Sequence, residues 1–436
     1  MLKCNKWQGY SAVLVVGWLM VSAYAFAEQL ELVNDVPLVL ASQSKDEVSD
    51  KDADKANTDN ARVAKGGSPD AMPVVSPKFN LPPPPELSAK AYILIDAHTG
   101  YVMVAKNADE RLFPASLTKV LSLYLVASQL KHGSISLEDM VTISKRAWQT
   151  GGSRMFVQVG TQVPLNELVK GVAIVSGNDA TVALAEYLGG TEDGFVQMMN
   201  QVAKQLHMND SSFADCNGLH DSNYSTAADL ARLTSAWVRH FPEYYGWFKE
   251  KWFSYNNIKQ PNRNRLLWRD ESVDGVKTGY TSQAGYCLIA SAMHGDTRLI
   301  AVVLGAAKEV ERSNIAQALL RYGFQYYESR KLFAANQELV EAKVALGKQR
   351  CVPVGLVNDV YITATKDKIK KVEARVVLDQ DYLRAPVVRG SVVGKLKIKQ
   401  ADQSEREYPL VTLAPVEKNC WFFNWLDYLK LWFFKS

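Results

Sequence analysis

The spacing of apolar residues changes several times along the chain, and these changes divide it. Residues 91–96 and 101–106 are two short apolar runs around Ala97-His98-Thr99-Gly100, which is a hairpin signal. Over residues 116–130 the pattern turns helical, with Val120, Leu121, Leu123, Tyr124, Leu125 and Val126 crowding a broad face. Residues 165–175 and 179–188 also read as helices. Residues 285–294 and 297–306 read as strands that flank the turn pair Gly295-Asp296, and 312–327 returns to helix. Strands, then helices, then strands and a helix predict an α+β fold, with helices packed on an antiparallel sheet, rather than βαβ repetition. From about Leu339 the segments 352–363, 370–378 and 392–398 alternate and are rich in valine, which predicts a small all-β domain.

The two ends follow other patterns. Lys3 and Lys6 precede the short apolar run 11–21, and Ala25-Phe26-Ala27 offers the small-x-small pattern cut by signal peptidase. The run is shorter than the ~20 residues of a spanning helix, so residues 1–27 are expected to be a cleaved export signal. Residues 28–88 are rich in Asp, Lys, Ser, Ala and Pro and end in Pro82-Pro83-Pro84-Pro85. They bury too little apolar surface to offset their ordering entropy, and read as a disordered acidic, proline-rich tether. At the other end, Trp421, Phe422, Phe423, Trp425, Leu426, Leu429, Trp432, Phe433 and Phe434 surround a narrow polar stripe of Asn424, Asp427 and Lys430. As a helix, 420–434 would reach about 22 Å, short of the ~30 Å hydrocarbon core. Residues 416–436 are therefore expected to form an amphipathic helix that anchors the chain at a membrane surface.

Composition narrows the classes further. With 436 residues, 47% hydrophobic and 22% charged, the chain can build one large or two medium domains. A net charge of only +4 provides no basic field for nucleic acid. Of five cysteines, Cys4 lies in the export segment. Cys216, Cys287, Cys351 and Cys420 have no CxxC spacing and are expected as buried or free thiols, although an exported chain could pair them. Six scattered histidines without an HExxH pattern give no metal site, and no cofactor is expected.

Three short motifs carry the candidate chemistry: Ser116-Leu117-Thr118-Lys119, Ser176-Gly177-Asn178 and Lys277-Thr278-Gly279. Singly they are weak. Ser-x-x-Lys recurs at Ser42/Lys45 and Ser128/Lys131, and Ser-x-Asn at Ser254/Asn256. Ser116 differs in following Phe113-Pro114-Ala115 and opening an apolar helix, while Lys-Thr-Gly occurs once. Side chains at i and i+3 share a helix face, about 5–6 Å apart at Cβ, so Lys119 can reach the Ser116 hydroxyl. A free lysine is a poor base at neutral pH; burial and a second cation, for which Lys277 is the candidate, would lower its pKa. A serine at a helix N-terminus also lies beside free N–H groups that favour an oxyanion. Lys277-Thr278-Gly279 should lie on a strand, where Gly279 lets a substrate backbone approach and the N–H of Tyr280 is the second oxyanion donor. Ser176 and Asn178, just past an apolar helix, can bridge the lysines and bind a substrate amide.

The first and third of these motifs, with a close relative of the second, form the set of penicillin-binding proteins and class A β-lactamases. From about Ala89 to Lys435 the chain resembles the low-molecular-mass penicillin-binding proteins, the serine-type D-Ala-D-Ala carboxypeptidases of peptidase family S11. Besides the motifs, Asn217-Gly218-Leu219-His220, Tyr224-Ser225-Thr226-Ala227 and Asn262-Arg263-Asn264 resemble that family. The resemblance implies a β-lactamase/transpeptidase-like catalytic domain at 89–332, a small β-rich domain at 333–415 and the terminal helix. It also implies attack by Ser116 on the carbonyl between the last two D-alanines of a cell-wall stem peptide. Lys119 would be the general base, Ser176 with Lys277 would return a proton to the leaving D-Ala, and water would release the acyl-enzyme. Asn178, Lys277, Thr278, Gly279 and Tyr280 would bind substrate. Arg312, after the last strand, would hold its carboxylate, with Arg263 a weaker candidate at the border. Implied partners are the peptidoglycan stem peptide, β-lactam inhibitors and the membrane surface, on the outer face of the cytoplasmic membrane.

Tyr280 stands where some such carboxypeptidases carry histidine, which bears on deacylation. A β-lactamase is the nearest alternative, but Gly177 replaces the Asp of its middle motif and no Glu-x-x-Leu-Asn pattern stands out. A non-catalytic cell-wall scaffold is the alternative from another class, and the intact Ser116, Lys119, Ser176 and Lys277 speak against it.

Overall fold

The computed structural model describes residues 81–370, 372–399 and 405–419. The expected export signal, residues 420–436 of the expected anchoring helix and all of the tether before Leu81 lie outside the described residues; the helix expected from 416 does not begin there, because Val416 and Lys418 bridge to Val387 and Gly347.

A five-stranded antiparallel sheet is built from β1 (Ala91–Asp96), β2 (Val102–Lys106), β3 (Val273–Thr281), β4 (Gly285–His294) and β5 (Thr297–Ala306), in the order β2-β1-β5-β4-β3. The near-continuous apolar runs of β1 and β5 follow from burial on both faces. Ile93, Ile95 and Val302 enter one core, and the alternate residues Tyr92, Leu94 and Val303 enter the other. The first core is closed by α1 (Lys119–Lys131), α2 (Leu165–Val175), α3 (Asn178–Gly189), α4 (Glu192–Gln205) and α5 (Ala227–His240). The second is closed by α6 (Glu309–Tyr326), which packs on β4 and β5. Helix α1 is buried at every position from Lys119 to Ala127 because α2, α3, α4 and α5 surround it, so its broad apolar face is a central helix rather than an amphipathic one.

The helix expected over 116–130 is divided. Ala115–Thr118 form a 3-10 turn, and the α-helix begins at Lys119. Ala115 enters the turn at φ +48°, a region that β-carbon contacts disfavour, so the serine stands on a tight, strained turn and not on the first α-helical turn.

The second domain contains β6 (Tyr327–Phe333), β7 (Glu338–Ala345), β8 (Cys351–Gly355), β9 (Val360–Thr365), β10 (Glu373–Leu378), β11 (Leu383–Arg384), β12 (Val392–Lys399) and β13 (Glu405–Thr412). Six of them form a sheet in the order β10-β12-β13-β8-β7-β11, and β6 pairs with β9. Val352, Val354, Ile362, Leu396, Ile398 and Leu410 fill its own core. The expected single segment 352–363 is two strands in two sheets, parted at Asn358-Asp359, where Asp359 Oδ1 accepts the Ala335 N–H at 2.8 Å.

The two domains meet at the first hairpin's turn. Asp96, fully buried, accepts the N–H groups of His98 and Thr99 and the Thr99 hydroxyl on Oδ1, and the Ser329 hydroxyl on Oδ2 at 2.6 Å. Thr363 Oγ1 lies 2.6 Å from Thr99 Oγ1 and 2.9 Å from Ser329 Oγ, and the rings of His98 and Tyr361 stack at 4.1 Å. At the entry to the fold, Tyr322 Oη donates to the Pro82 carbonyl at 3.0 Å and Leu87 packs on the second core, so the proline run is held by α6.

Candidate active site

Ser116, Lys119, Ser176 and Lys277 come from four separate elements, the 3-10 turn, α1, the C-cap of α2 and β3. Lys119 is fully buried, and its Nζ donates to Ser116 Oγ at 3.0 Å and to the Asn217 carbonyl at 2.8 Å. Burial lowers its pKa to about 8, opposed by Cys216, Asp215 and Asp179. Lys277, on the edge strand β3, is buried as well and donates to the Thr278 carbonyl at 3.0 Å. Burial and then the charges of Lys119, Arg312 and Arg263 push it well below the usual lysine range. Burial is the largest cause at both lysines, and the repulsion between Lys119 and Lys277 adds to it, in line with the expectation from sequence of burial plus a second cation.

Strand β3 runs against the serine turn. A Cβ on Gly279 would stand 3.1 Å from the Pro114 oxygen and 3.2 Å from the Ser116 nitrogen. Gly279 is thus required for the close approach of two protein segments, whereas sequence reasoning assigned it to the approach of substrate. Thr278 is buried beside it. Tyr280 is 55% exposed, and its ring lies 4.3 Å from that of Tyr286.

Ser176 is the C-cap of α2 at φ +63°, and its N–H donates to Gly171 O. The motif is therefore a helix stop and a site element together. Its Oγ is buried without a hydrogen-bond partner, so the expected bridge to the lysines is not formed. Asn178 opens α3; its Nδ2 donates to Gly151 O at 2.6 Å, while its buried Oδ1 has no partner. Arg312 is buried, donates from Nη1 to the Gly279 carbonyl at 3.1 Å, and lies 5.5 Å from the Tyr286 ring centroid. Its Nε has no partner. Arg263 is exposed, its charge reaches Lys277, and its main-chain N–H meets Ile174 O, two residues before Ser176. Lys119, Lys277, Arg312 and Arg263 thus lie close enough to act on one another beside the turn that presents Ser116, a field suited to an anionic substrate and a developing oxyanion.

Sequence reasoning gave no role to several residues that build this site. Asn217 offers its main-chain carbonyl to Lys119, and its buried Oδ1 has no partner. Gly218, at φ +81°, approaches so closely that a Cβ would stand 1.8 Å from Ala115 O; the Asn-Gly dipeptide was the available signal. Asp215 accepts the N–H groups of Gly218, Leu219 and His220, which fixes that turn. Asp179 accepts the N–H groups of Met155, Phe156 and Val157 and holds their loop against Asn178. The three described cysteines, Cys216, Cys287 and Cys351, are free thiols, and Cys420 lies outside the described residues. Among the described residues, no cluster of His, Cys, Asp and Glu could hold a metal ion.

A family model described as D-alanyl-D-alanine carboxypeptidase, peptidase S11, matches residues 78–308, and one described as penicillin-binding protein 5, C-terminal domain, matches 327–418. The chain is 40% identical over 357 residues to the D-alanyl-D-alanine carboxypeptidase DacC of Escherichia coli K12, covering 80% of this chain and 89% of that protein. Penicillin binding protein 5 from Haemophilus influenzae superposes with a TM-score of 0.69 at 40% identity, over 77% of this chain and 99% of that one. Penicillin-binding protein D2 from Listeria monocytogenes, in its ampicillin-bound form, gives 0.52 at 28% identity, over 56% of this chain and 100% of that one. With both domains matched, the chain belongs to the peptidase S11 family of D-alanyl-D-alanine carboxypeptidases.

Proposed function

We propose that Ser116 is the nucleophile of this carboxypeptidase and Lys119 its general base. The observation that carries the assignment is the buried Lys119 Nζ, with a pKa lowered to about 8, hydrogen-bonded to Ser116 Oγ at 3.0 Å. Ser116 Oγ attacks the carbonyl of the penultimate D-alanine and gives its proton to Lys119. The oxyanion is held by the N–H groups of Ser116 and Tyr280. The C–N bond then breaks, Ser176 with Lys277 supplies a proton to the leaving D-alanine, and water hydrolyses the ester.

The unpartnered Ser176 Oγ, Asn178 Oδ1 and Arg312 Nε support the substrate assignments, because buried polar groups without partners are costly and a bound stem peptide supplies partners. Arg312 takes the terminal carboxylate; Asn178, Lys277, Thr278 and Gly279 line the peptide. Likeness to the ampicillin-bound relative supports β-lactams as covalent inhibitors. The sequence pattern supports export by residues 1–27, a tether from 28 up to the proline run, and peripheral attachment by the aromatic terminal segment to the outer face of the cytoplasmic membrane; the boundary expected at 332/333 moves to Tyr327, whose strand pairs within the β-rich domain.

Incubation with a labelled penicillin and with a D-Ala-D-Ala-terminated tripeptide tests the reading. A covalent adduct absent from Ser116→Ala, together with D-alanine release, is expected. No adduct on the wild-type chain would overturn it, and rapid penicillin turnover without D-alanine release would make the protein a β-lactamase.

A further inference from the structure

The Asn217 carbonyl that meets Lys119 belongs to a segment gripped from two sides. Ser122, one helical turn after Lys119, donates from Oγ to the Cys216 carbonyl at 2.8 Å. On the other side, Glu192 Oε1 lies 3.4 Å from the Cys216 nitrogen and 3.2 Å from its sulfur. Burial, and then Glu192, keep the thiol protonated and hence a donor. The second carboxylate oxygen of Glu192 is taken by Arg146, whose Nε lies 3.0 Å away. Thr191 caps α4 by accepting the Gly194 N–H, so the helix start does not need Glu192. A buried carboxylate that stabilises its helix only by charge has no need of directed contacts to a loop.

We propose that Glu192 is a positioning residue for acylation: by holding the N–H and S–H of Cys216, it sets the Asn217 carbonyl against Lys119 Nζ and so aims the lysine at Ser116. The contact is short-range and geometric. Among the described residues Lys119 Nζ meets this carbonyl and Ser116 Oγ as hydrogen-bond partners, and a misplacement of about 1 Å near the reacting atoms can cost a hundredfold in rate. Gly218, the next residue, presses on Ala115, so the same segment also abuts the turn that presents Ser116.

The inference rests on Lys119 being the base, and the experiment separates the two. The second-order rate of acylation by a labelled penicillin is measured against pH for the full chain and for Glu192→Ala, Glu192→Gln, Cys216→Ala and Lys119→Ala. Glu192→Ala should lower the plateau rate about tenfold to a hundredfold. It should also move the acidic limb to lower pH, because the lost Asn217 contact favoured the charged lysine, while Cys216, Asp215, Asp179 and Lys277 remain around it. Glu192→Gln keeps an acceptor for Cys216 and should restore most of the rate. Cys216→Ala, which loses only the thiol donor, should move rate and limb the same way by less. Loss of folded protein alone would lower the amount that acylates without moving the limb. An unmoved limb in both Glu192→Ala and Cys216→Ala, or a Gln variant as slow as the Ala variant, overturns the proposal. Undiminished acylation by Lys119→Ala would instead overturn the base assignment beneath it.

Discussion

Gly279 and Ser116 are packed so closely that a side chain on the glycine would stand 3.2 Å from the serine's main-chain nitrogen. That nitrogen and the N–H of Tyr280, the next residue on β3, are the two donors assigned to the oxyanion. Their spacing is set by this contact. Gly279→Ala should push the strand and the turn apart by a few tenths of an ångström. Acylation by a labelled penicillin should fall by about tenfold to a hundredfold, toward the cost of losing one oxyanion donor. Circular dichroism and the melting temperature should change little. A rate within twofold of wild type would mean that the turn relaxes without moving its N–H.

The value of about 8 for Lys119 makes a pH prediction with a definite sign. The base acts only when neutral, so the acylation rate should rise with pH and level off above about 8. Below that it should fall about tenfold per unit, reaching roughly a hundredth of the plateau near pH 6. Rates measured over pH 5.5–9.5 check this. A profile that is flat down to pH 6 would assign the proton transfer to another group.

Much of the fold was legible because its signals are local. The hairpin Gly285–His294 and Thr297–Ala306 has Gly295-Asp296 between two apolar runs, and its bounds follow from that alone. Helix α5 had a readable start too, since Thr226 accepts the Asp229 N–H across Thr-Ala-Ala-Asp, but no helix was assigned there. The 3-10 turn at Ala115–Thr118 was not legible. Nothing about an alanine announces a positive φ, which the packing of Gly218 and Gly279 imposes from distant parts of the chain. The same distinction divides the site. Ser116, Lys119, Ser176 and Lys277 act through side chains and leave a motif. Asn217 meets Lys119 through a carbonyl that any residue carries, so its Asn-Gly pattern marks the turn and not the contact, and Glu192 reaches the site only through the residues between.

Asp96 ties the domains together, and its removal should show in how the protein unfolds. Asp96→Ala would leave the N–H groups of His98 and Thr99 and the hydroxyls of Thr99 and Ser329 without their buried acceptor. A loss of about 3 kcal/mol is expected, the scale for breaking a buried charged network. Calorimetry should resolve two transitions where the wild type has one. Penicillin acylation at 25 °C should stay within about twofold of wild type, because Ser116 and Lys119 are held by their own contact and by their neighbours Ala115, Leu117 and Val120 in the first core. A single, unshifted transition would show that the Ser329–Thr297 hydrogen bond and the His98–Tyr361 stacking suffice.

Arg312 offers the sharpest test of substrate choice. Its Nη1 is used on the Gly279 carbonyl, its Nη2 lies 3.4 Å from Glu309 Oε1, and its Nε is buried with no partner, so a carboxylate at the end of β3 would take the Nε–H and compete with Glu309 for Nη2. A guanidinium–carboxylate contact is worth about 1.5–3 kcal/mol, or roughly tenfold to a hundredfold in kcat/KM. The wild-type enzyme should therefore prefer a free D-Ala-D-Ala terminus over the same peptide ending in a carboxamide by that factor. Arg312→Ala should lose the preference by slowing the acid substrate and leaving the amide nearly as it was. Because Arg312 also braces the Gly279 carbonyl, a purely structural role would slow both substrates alike, so the ratio of the two rates separates the explanations. Arg312→Lys keeps the charge but not the forked donors, and should recover only part of the preference.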